Sequence, residues 1–156
     1  MTLVAAYDEA RQIEEIGRLR RILALRAMVA SGESQRDVAR ELGISQPAVS
    51  KQLKAAPDLS GVHPETLLDA AAPVIKRLAA DRGFTRLAVF GSVARREAGL
   101  DSDFDFLVET PRGTTISDMV RFRDLLQKVL GRPVDLVSWG GLKPYDADIR
   151  HEAVLL

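Results

Sequence analysis

Cysteine is absent from this chain of 156 residues, which excludes disulfides, thiolate metal ligands and cysteine nucleophiles. The charges also cancel, with 22 Lys and Arg against 22 Asp and Glu, so no overall attraction to nucleic acid or anionic membrane is expected. No segment approaches the roughly 20 apolar residues of a membrane span, and the N-terminus lacks the pattern of a signal peptide. We therefore expect a cytoplasmic protein with no membrane contact, whose metal ligands are carboxylates or imidazoles.

The chain is nevertheless rich enough in apolar residues, at 46%, to form one ordinary domain or two small ones. Two prolines and a glycine interrupt the periodic pattern between Ala56 and Pro64, and we place a domain boundary there. The first unit, residues 1–60, has helical spacing throughout. It predicts one long helix over 8–30, or two joined near Gly17, and shorter helices over 35–42 and 47–54.

The second unit, residues 64–156, mixes helical and strand patterns. Short apolar runs bounded by turn residues predict strands over 86–90, 104–108 and 133–137. Helical periodicity predicts helices over 65–82, 114–130 and 146–155. The alternation predicts an α/β or α+β domain in which helices flank a small sheet.

Three aspartates stand on the predicted strands or directly before one of them. Residues two apart on a strand point to the same face, so Asp103 and Asp105 are expected side by side, with Phe104 and Phe106 on the opposite, buried face. Two such carboxylates repel each other unless a cation lies between them, and Mg²⁺ prefers oxygen ligands of this kind. Asp135, at the same level of a neighbouring strand, is a third candidate ligand. An Asp-x-Asp pair alone is also common at strand edges without any metal.

A glycine-serine turn follows the first predicted strand. Gly91 and Ser92 open a helical turn, where backbone N–H groups and a hydroxyl are suited to bind phosphate. Arg95 lies one helical turn further on and is placed to neutralise phosphate oxygens. The turn therefore predicts a nucleotide-binding site made by Gly91, Ser92 and Arg95 beside the aspartates.

The combined pattern is Gly-Ser-x-Ala-Arg, then Ser-Asp-x-Asp-x-Leu-Val, then Val-Asp-Leu-Val, and it resembles the minimal nucleotidyltransferases of the DNA polymerase beta superfamily over about residues 64–156. The family usually has glycine at the position of Arg96 and an aliphatic residue at that of Phe104. The matching residues are Gly91, Ser92, Ala94, Arg95, Ser102, Asp103, Asp105, Leu107, Val108 and Asp135.

The resemblance implies a fold with a small mixed sheet flanked by helices, and a site with Mg²⁺ as cofactor and ATP or another nucleoside triphosphate as substrate. Gly91 and Ser92 would hold the triphosphate, and Asp103 and Asp105 would bind Mg²⁺. Asp135 would complete the metal site and help to activate the nucleophile. All three aspartates are therefore expected to be catalytic.

The acceptor of the transferred group is expected to be another protein. Larger nucleotidyltransferases carry an additional domain that shapes the acceptor site, and no sequence follows Leu156 to form one. Similar minimal nucleotidyltransferases act as antitoxins, transferring AMP from ATP to a tyrosine of an all-helical HEPN ribonuclease toxin, and the resemblance implies the same here. Two alternatives stay open: a transcription regulator with a non-catalytic nucleotidyltransferase-like domain, and a transferase acting on a small molecule such as an antibiotic.

The segment from Gln35 to Leu53 resembles the DNA-binding helix-turn-helix of phage-repressor-like regulators, within about residues 35–54. Ala39 is small where the helices cross, and Gly43 takes the turn. The alternative is a plain helical pair used for dimerisation or docking. One module rarely binds DNA tightly, so a homo-oligomer on a two-fold operator is expected, with autoregulation as its purpose. The residues expected to contact operator DNA are Ser45, Gln46, Ser50, Lys51 and Lys54.

Overall fold

The structure is a computed structural model that describes residues 1–56 and 58–156; Pro57, within the predicted linker, lies outside the described residues. The helices are α1 (Leu3–Ala30), α2 (Gln35–Leu42), α3 (Gln46–Lys54), α4 (Pro64–Ala80), α5 (Gly91–Ala94), α6 (Ile116–Leu130) and α7 (Ala147–Glu152). The strands are β1 (Thr85–Phe90), β2 (Phe104–Glu109), β3 (Val134–Ser138) and β4 (Val154–Leu155).

Helix α1 is continuous through Gly17 and takes part in two cores. Its C-terminal half packs on α4 and α6 through Leu19 and Leu23, whereas Leu25 packs against α2 and α3. Because both cores use α1, the division between residues 60 and 64 stays a prediction. Although α1 has 28 residues, neither it nor any other helix within residues 1–56 and 58–156 is apolar enough to cross a membrane.

The four strands form one mixed sheet in the order β3-β2-β1-β4. Strand β1 pairs antiparallel with both β2 and β4, and β2 pairs parallel with β3. The small mixed sheet flanked by helices is therefore confirmed. The prediction of helix through residue 155 is wrong, because α7 ends at Glu152 and the chain then pairs with β1, where Leu156 N–H donates to Leu87 O at 3.0 Å.

The two faces of the sheet are covered differently. One face carries Phe104 and Phe106, both fully buried, and packs on the core made by α1, α4 and α6. The other face carries Phe90 and Leu107, and among the described residues the segment after β3 packs on it and contributes the buried Leu142. Side chains that emerge on this second face near the strand ends are therefore open to solvent.

Arg132 fixes the linker to the sheet end of the molecule. This side chain is 7% exposed. Its guanidinium donates to the carbonyls of Ser60 at 3.1 Å and Val62 at 2.6 Å, and also to those of Leu59 and Leu100. The segment before α4, the loop before β2 and the start of β3 are thus held together by one buried cation.

Candidate active site

The ends of three strands bring the predicted site residues to one end of the sheet. Asp105 on β2 is the register partner of Asp135 on β3, and on its other side it is the partner of Phe90, the last residue of β1. Because Phe104, Phe106 and their neighbours on β3 point into the core, alternation directs Asp105 and Asp135 to the less covered face. The prediction that Asp105 and Asp135 lie at one level is confirmed.

Asp105 lies in an environment that disfavours its negative charge. It is half-buried, whereas Asp103 and Asp135 are exposed. Burial raises the pKa of Asp105 to about 6, and the charges of Asp135, Asp103 and Glu152 and a hydrogen bond with Asp135 act in the same direction. A carboxylate so destabilised gains most from a cation placed between it and Asp135.

Asp103 does not share a strand with Asp105. Strand β2 begins at Phe104, so Asp103 lies in the irregular segment just before it. Within residues 1–56 and 58–156, no three His, Cys, Asp or Glu side chains form a group arranged to hold a metal ion. The Asp105–Asp135 pair is therefore the part of the predicted carboxylate set that the fold brings together most closely, with Asp103 acting on it through its charge.

Gly91 begins the turn that faces these carboxylates. Its φ is +76°, a conformation that side chains rarely adopt, and a Cβ there would overlap the Asp105 carboxylate and lie 3.1 Å from its Cγ. The turn is a single helical turn, α5, and Ser92 within it is half-buried. Only glycine lets the backbone approach Asp105 this closely, so the turn and the aspartates form one site.

Glu152 occupies the donors that the sequence predicts for phosphate. The N–H of Gly91 donates to Glu152 Oε1 at 2.9 Å, and Arg95 Nη1 donates to Glu152 Oε2 at 2.8 Å. Arg95 also donates through Nε to Glu97 at 3.1 Å. The phosphate-binding groups are therefore arranged around an anion, and in this structure that anion is a side chain of the protein.

Reasoning from the sequence did not find Glu152. It is 61 residues from Gly91 and 57 from Arg95, and it stands in a helix that no nucleotide motif marks. The resemblance to the minimal nucleotidyltransferases over about residues 64–156 includes Glu152 but assigns it no role. The placement of Glu152 depends on β4, whose pairing with β1 brings the end of α7 towards the Gly91 turn.

The predicted DNA-contacting residues lie in the N-terminal part of the chain, on α3 or directly before it. Gly43 adopts a left-handed conformation, with φ of +67°, and ends α2. Ser45 then begins α3 by accepting a hydrogen bond from Ala48 N–H at 3.2 Å. Four of the five predicted residues are exposed and Ser50 is half-buried: Ser45, Gln46, Ser50, Lys51 and Lys54. The two helices and their turn are as predicted.

Comparison with known proteins finds similarity over part of the chain. A family model described as a nucleotidyltransferase domain matches residues 73–156, or 84 of the 156 residues. A candidate protein adenylyltransferase of Methanocaldococcus jannaschii, MJ0435, is 41% identical over 73 residues, which cover 46% of this chain and 78% of that protein. The protein adenylyltransferase MntA of Thermococcus cleftensis is 38% identical over 61 residues, 39% of this chain and 62% of that protein, less than two thirds of its length.

A solved structure described as that of a candidate minimal nucleotidyltransferase is also similar. It superposes with a TM-score of 0.53 and 39% sequence identity, covering 65% of this chain and 99% of that one. The family match spans all four strands of the sheet. The helical segment before residue 73 lies outside the family match.

Proposed function

This chain belongs to the nucleotidyltransferase domain family, and from that premise we propose that it transfers AMP from ATP to a hydroxyl group of a partner protein. Family membership makes the chain an enzyme whose substrate is a nucleoside triphosphate. The observation that supports the site best is the Asp105–Asp135 pair, at matched register and directly beside the Gly91 turn.

The carboxylate pair fits a divalent cation. Burial and neighbouring negative charge raise the pKa of Asp105 to about 6, which is the expected behaviour of a carboxylate close to other carboxylates. Asp105 and Asp135 would hold Mg²⁺, and the negative charge of Asp103 would add to the attraction for the ion. An ion held there would supply positive charge that lowers the pKa of an attacking hydroxyl and offsets the charge on the phosphates.

The residues of the chain then have separate tasks in the transfer. The acceptor oxygen attacks the α-phosphorus, the bond from that phosphorus to pyrophosphate breaks, and the hydroxyl proton passes to a carboxylate. Asp135 is the exposed member of the pair and is suited to receive that proton. Gly91 N–H and Arg95 are suited to bind oxygens of the triphosphate.

The protein acceptor is proposed from the relatives, because two of them are named as protein adenylyltransferases. The resemblance to antitoxin-type minimal nucleotidyltransferases extends the proposal to a HEPN-type helical toxin as partner. The product of the adjacent gene is the natural candidate for this acceptor. Modification of the toxin by AMP would then be the antitoxin activity.

Intact-mass spectrometry tests this proposal. The product of the adjacent gene, incubated with the wild-type chain, ATP and Mg²⁺, is expected to gain the mass of one AMP group, and to gain none with Asp105→Asn or Asp135→Asn. Asp148→Asn is the control, since Asp148 is an exposed aspartate outside the site. An unmodified acceptor, or equal modification by Asp105→Asn and wild type, would refute the proposal.

Sequence-specific DNA binding through α2 and α3 is the second part of the proposal, with repression of the chain's own operon as its role. Exposed Lys51 and Lys54 offer positive charge to phosphates, and Gln46 at the start of α3 is suited to hydrogen-bond adenine. In a gel-shift assay with the chain's own promoter, Lys51→Ala and Gln46→Ala should each weaken binding. Retention of full affinity by both variants would favour the alternative of a helical pair used for docking.

A homo-oligomer is proposed to support that DNA binding. The N-terminal half of α1 leaves large apolar side chains open, with Leu3 91%, Tyr7 67% and Ile13 65% exposed. A second copy of the chain packed on this half would cover them and would present two helix-turn-helix units to a two-fold operator. Analytical ultracentrifugation should find a dimer that Ile13→Glu dissociates; a monomer at all concentrations would contradict it.

A further inference from the structure

The Glu152 carboxylate holds two donors at once in the Gly91 turn. Its Oε1 accepts from Gly91 N–H at 2.9 Å and its Oε2 accepts from Arg95 at 2.8 Å. Burial opposes the charge of Glu152, but the hydrogen bonds from Arg95 and from Gly91 outweigh it and hold the pKa of this carboxyl below its usual range. Glu152 is therefore a bound anion in a pocket of donors, with 23% of its side chain exposed.

These two donors are the groups that a triphosphate requires at the proposed site. A carboxylate and a phosphate both accept charge-assisted hydrogen bonds from a guanidinium and from backbone N–H, so they compete for the same positions. The negative charge of Glu152 also adds to the repulsion that acts on the Asp105 carboxylate on β2. Glu152 thus disfavours the binding of an anion in two ways. It occupies the donors that the anion would use, and its negative charge repels the anion.

We infer that Glu152 closes the phosphate-binding turn of the nucleotide-free enzyme and that the triphosphate displaces it from Gly91 and Arg95. The inference rests on the proposed nucleotidyl transfer, because it assigns the Gly91 turn to phosphate. Glu152 is in this sense a residue that sets nucleotide affinity, and it is not needed for the chemistry of transfer.

Displacement requires little movement of the backbone. The residues that follow Glu152 are fixed to β1 by the pairing of Val154 with Val89 and by the hydrogen bond from Leu156 N–H to Leu87 O. Rotation of the Glu152 side chain alone is enough to free the donors. The displaced carboxylate would still lie near Asp105, so its negative charge would continue to lower the affinity for an anion.

Binding of ATP in the presence of Mg²⁺, measured by isothermal titration calorimetry on the full chain, tests this inference. Glu152→Gln keeps the size of the side chain and a carbonyl oxygen for Gly91 N–H, but it removes the charge. We expect ATP to bind about three-fold more tightly, or better, to Glu152→Gln than to wild type, because a partly exposed ion pair with Arg95 is lost. A side chain that only supports the turn would instead give weaker binding when altered.

Glu97→Gln is the matched control. Glu97 also pairs with Arg95, at 3.1 Å, but it is 68% exposed and does not contact Gly91 N–H. Its substitution should therefore change ATP affinity less than Glu152→Gln. Equal or weaker ATP binding by Glu152→Gln, with an unchanged thermal midpoint, would overturn the inference, and so would an equal gain in both variants.

A second measurement covers the case in which Glu152→Gln folds poorly. In wild type, the side-chain carboxyl carbon resonance of Glu152 should move on addition of ATP and Mg²⁺, together with the Gly91 amide, and should move further than that of Glu97. A stationary Glu152 resonance while Gly91 shifts would refute displacement but leave the proposed function intact. Absence of ATP binding by both wild type and Glu152→Gln would refute the two together.

Discussion

At the scale of single residues, the Asp105 carboxylate determines the electrostatics of the site. It is half-buried and three other carboxylates act on it to raise its pKa. The like charges disfavour the ionised form in the metal-free protein, so ionisation of Asp105 lowers the stability of the fold. A cation or a neutral side chain should relieve this repulsion.

Asp105→Asn should stabilise the metal-free protein at neutral pH. The pKa of Asp105 is raised from 3.8 to about 6, so the wild-type fold loses stability as pH rises from about 4 to 6 and stays at the lower level above that. After allowance for solvent screening, we expect a gain of about 1 kcal/mol for Asp105→Asn at pH 7.5 and little gain at pH 4.

Urea unfolding in EDTA at the two pH values measures this difference. Asp148→Asn serves as the exposed control and should change stability little at either pH. Addition of Mg²⁺ should stabilise wild type and not Asp105→Asn, since a ligand that binds only the native state raises its stability. A gain for Asp105→Asn that is the same at pH 4 and pH 7.5 would contradict the assigned cause.

Gly91→Ala should remove activity while leaving most of the fold intact. The Cβ would overlap the Asp105 carboxylate and the residue would keep a strained φ of +76°, so Asp105 must move. We expect a loss of about 1–3 kcal/mol in stability and of about a hundred-fold or more in kcat/KM.

Gly99→Ala is the control for this change, since a Cβ added at Gly99 would meet no atom within 4 Å among the described residues and the φ of Gly99 is not positive. Steady-state kinetics and thermal unfolding of both variants give the comparison. Wild-type activity in Gly91→Ala would show that the Gly91 turn does not need to approach Asp105.

The residues of the site were predictable from the sequence where they lie in short, local patterns. Gly91 follows a strand, and Asp105 and Asp135 alternate with buried residues on theirs, so local spacing and strand geometry were enough to place them together. Glu152 was not predictable in this way, because its contact with Gly91 depends on how β4 meets β1 in three dimensions.

At the scale of elements, the long helices and the three apolar strands follow from periodicity, and the bounds of the strands lie close to the predicted ones. Strand β4 does not follow from its sequence. Its two residues, Val154 and Leu155, are half or more exposed and carry no alternating pattern, so only their pairing with β1 defines them. Short edge strands of this kind depend on tertiary contacts more than on their own sequence.

Helices α2 and α3 pack around a small core that is separate from the main one. Their effect on DNA binding can therefore be tested apart from nucleotidyl transfer. Val49 is fully buried there against Leu25, Val38 and Ala39, away from the main core. Val49→Ala should cost about 2 kcal/mol and weaken promoter binding, because α3 loses its support. Nucleotidyl transfer should remain near wild type, since the site lies on the sheet.

Leu42→Ala, at a 48% exposed position of α2, should have a smaller effect on stability and is the control. Gel shift and AMP transfer measured on the same preparations separate the two activities. Equal loss of both in Val49→Ala would show that α2 and α3 support the catalytic part of the chain as well.

At the scale of the whole molecule, α1 and Arg132 connect the helical segment to the sheet. Helix α1 contributes to both cores, and Arg132 ties the segment before α4 to the loops around β2 and β3. The linker therefore separates two parts of the sequence that differ in composition, but α1 packs in the cores of both parts. Sequence alone could not show this, because Arg132 is isolated in its local pattern and its acceptors lie up to 73 residues away.

Arg132→Ala should destabilise the whole chain by about 3 kcal/mol, because it leaves four backbone carbonyls without the donor that they share. Arg132→Lys should recover part of the loss, since one ammonium group cannot reach all of the same carbonyls. Arg112→Ala, at an exposed arginine, should be close to neutral. Free energies of unfolding in urea test this order, and a neutral Arg132→Ala would contradict it.

The central claim is that the Asp105–Asp135 site transfers a nucleotidyl group. Parallel reactions with ATP radiolabelled at the α-phosphate and at the γ-phosphate test it most directly, with Mg²⁺ and the adjacent gene product as acceptor. The account predicts that the α label moves to the acceptor, that the γ label leaves in pyrophosphate, and that Asp105→Asn transfers neither. Transfer of the γ label, or α-label transfer by Asp105→Asn at the wild-type rate, would contradict it.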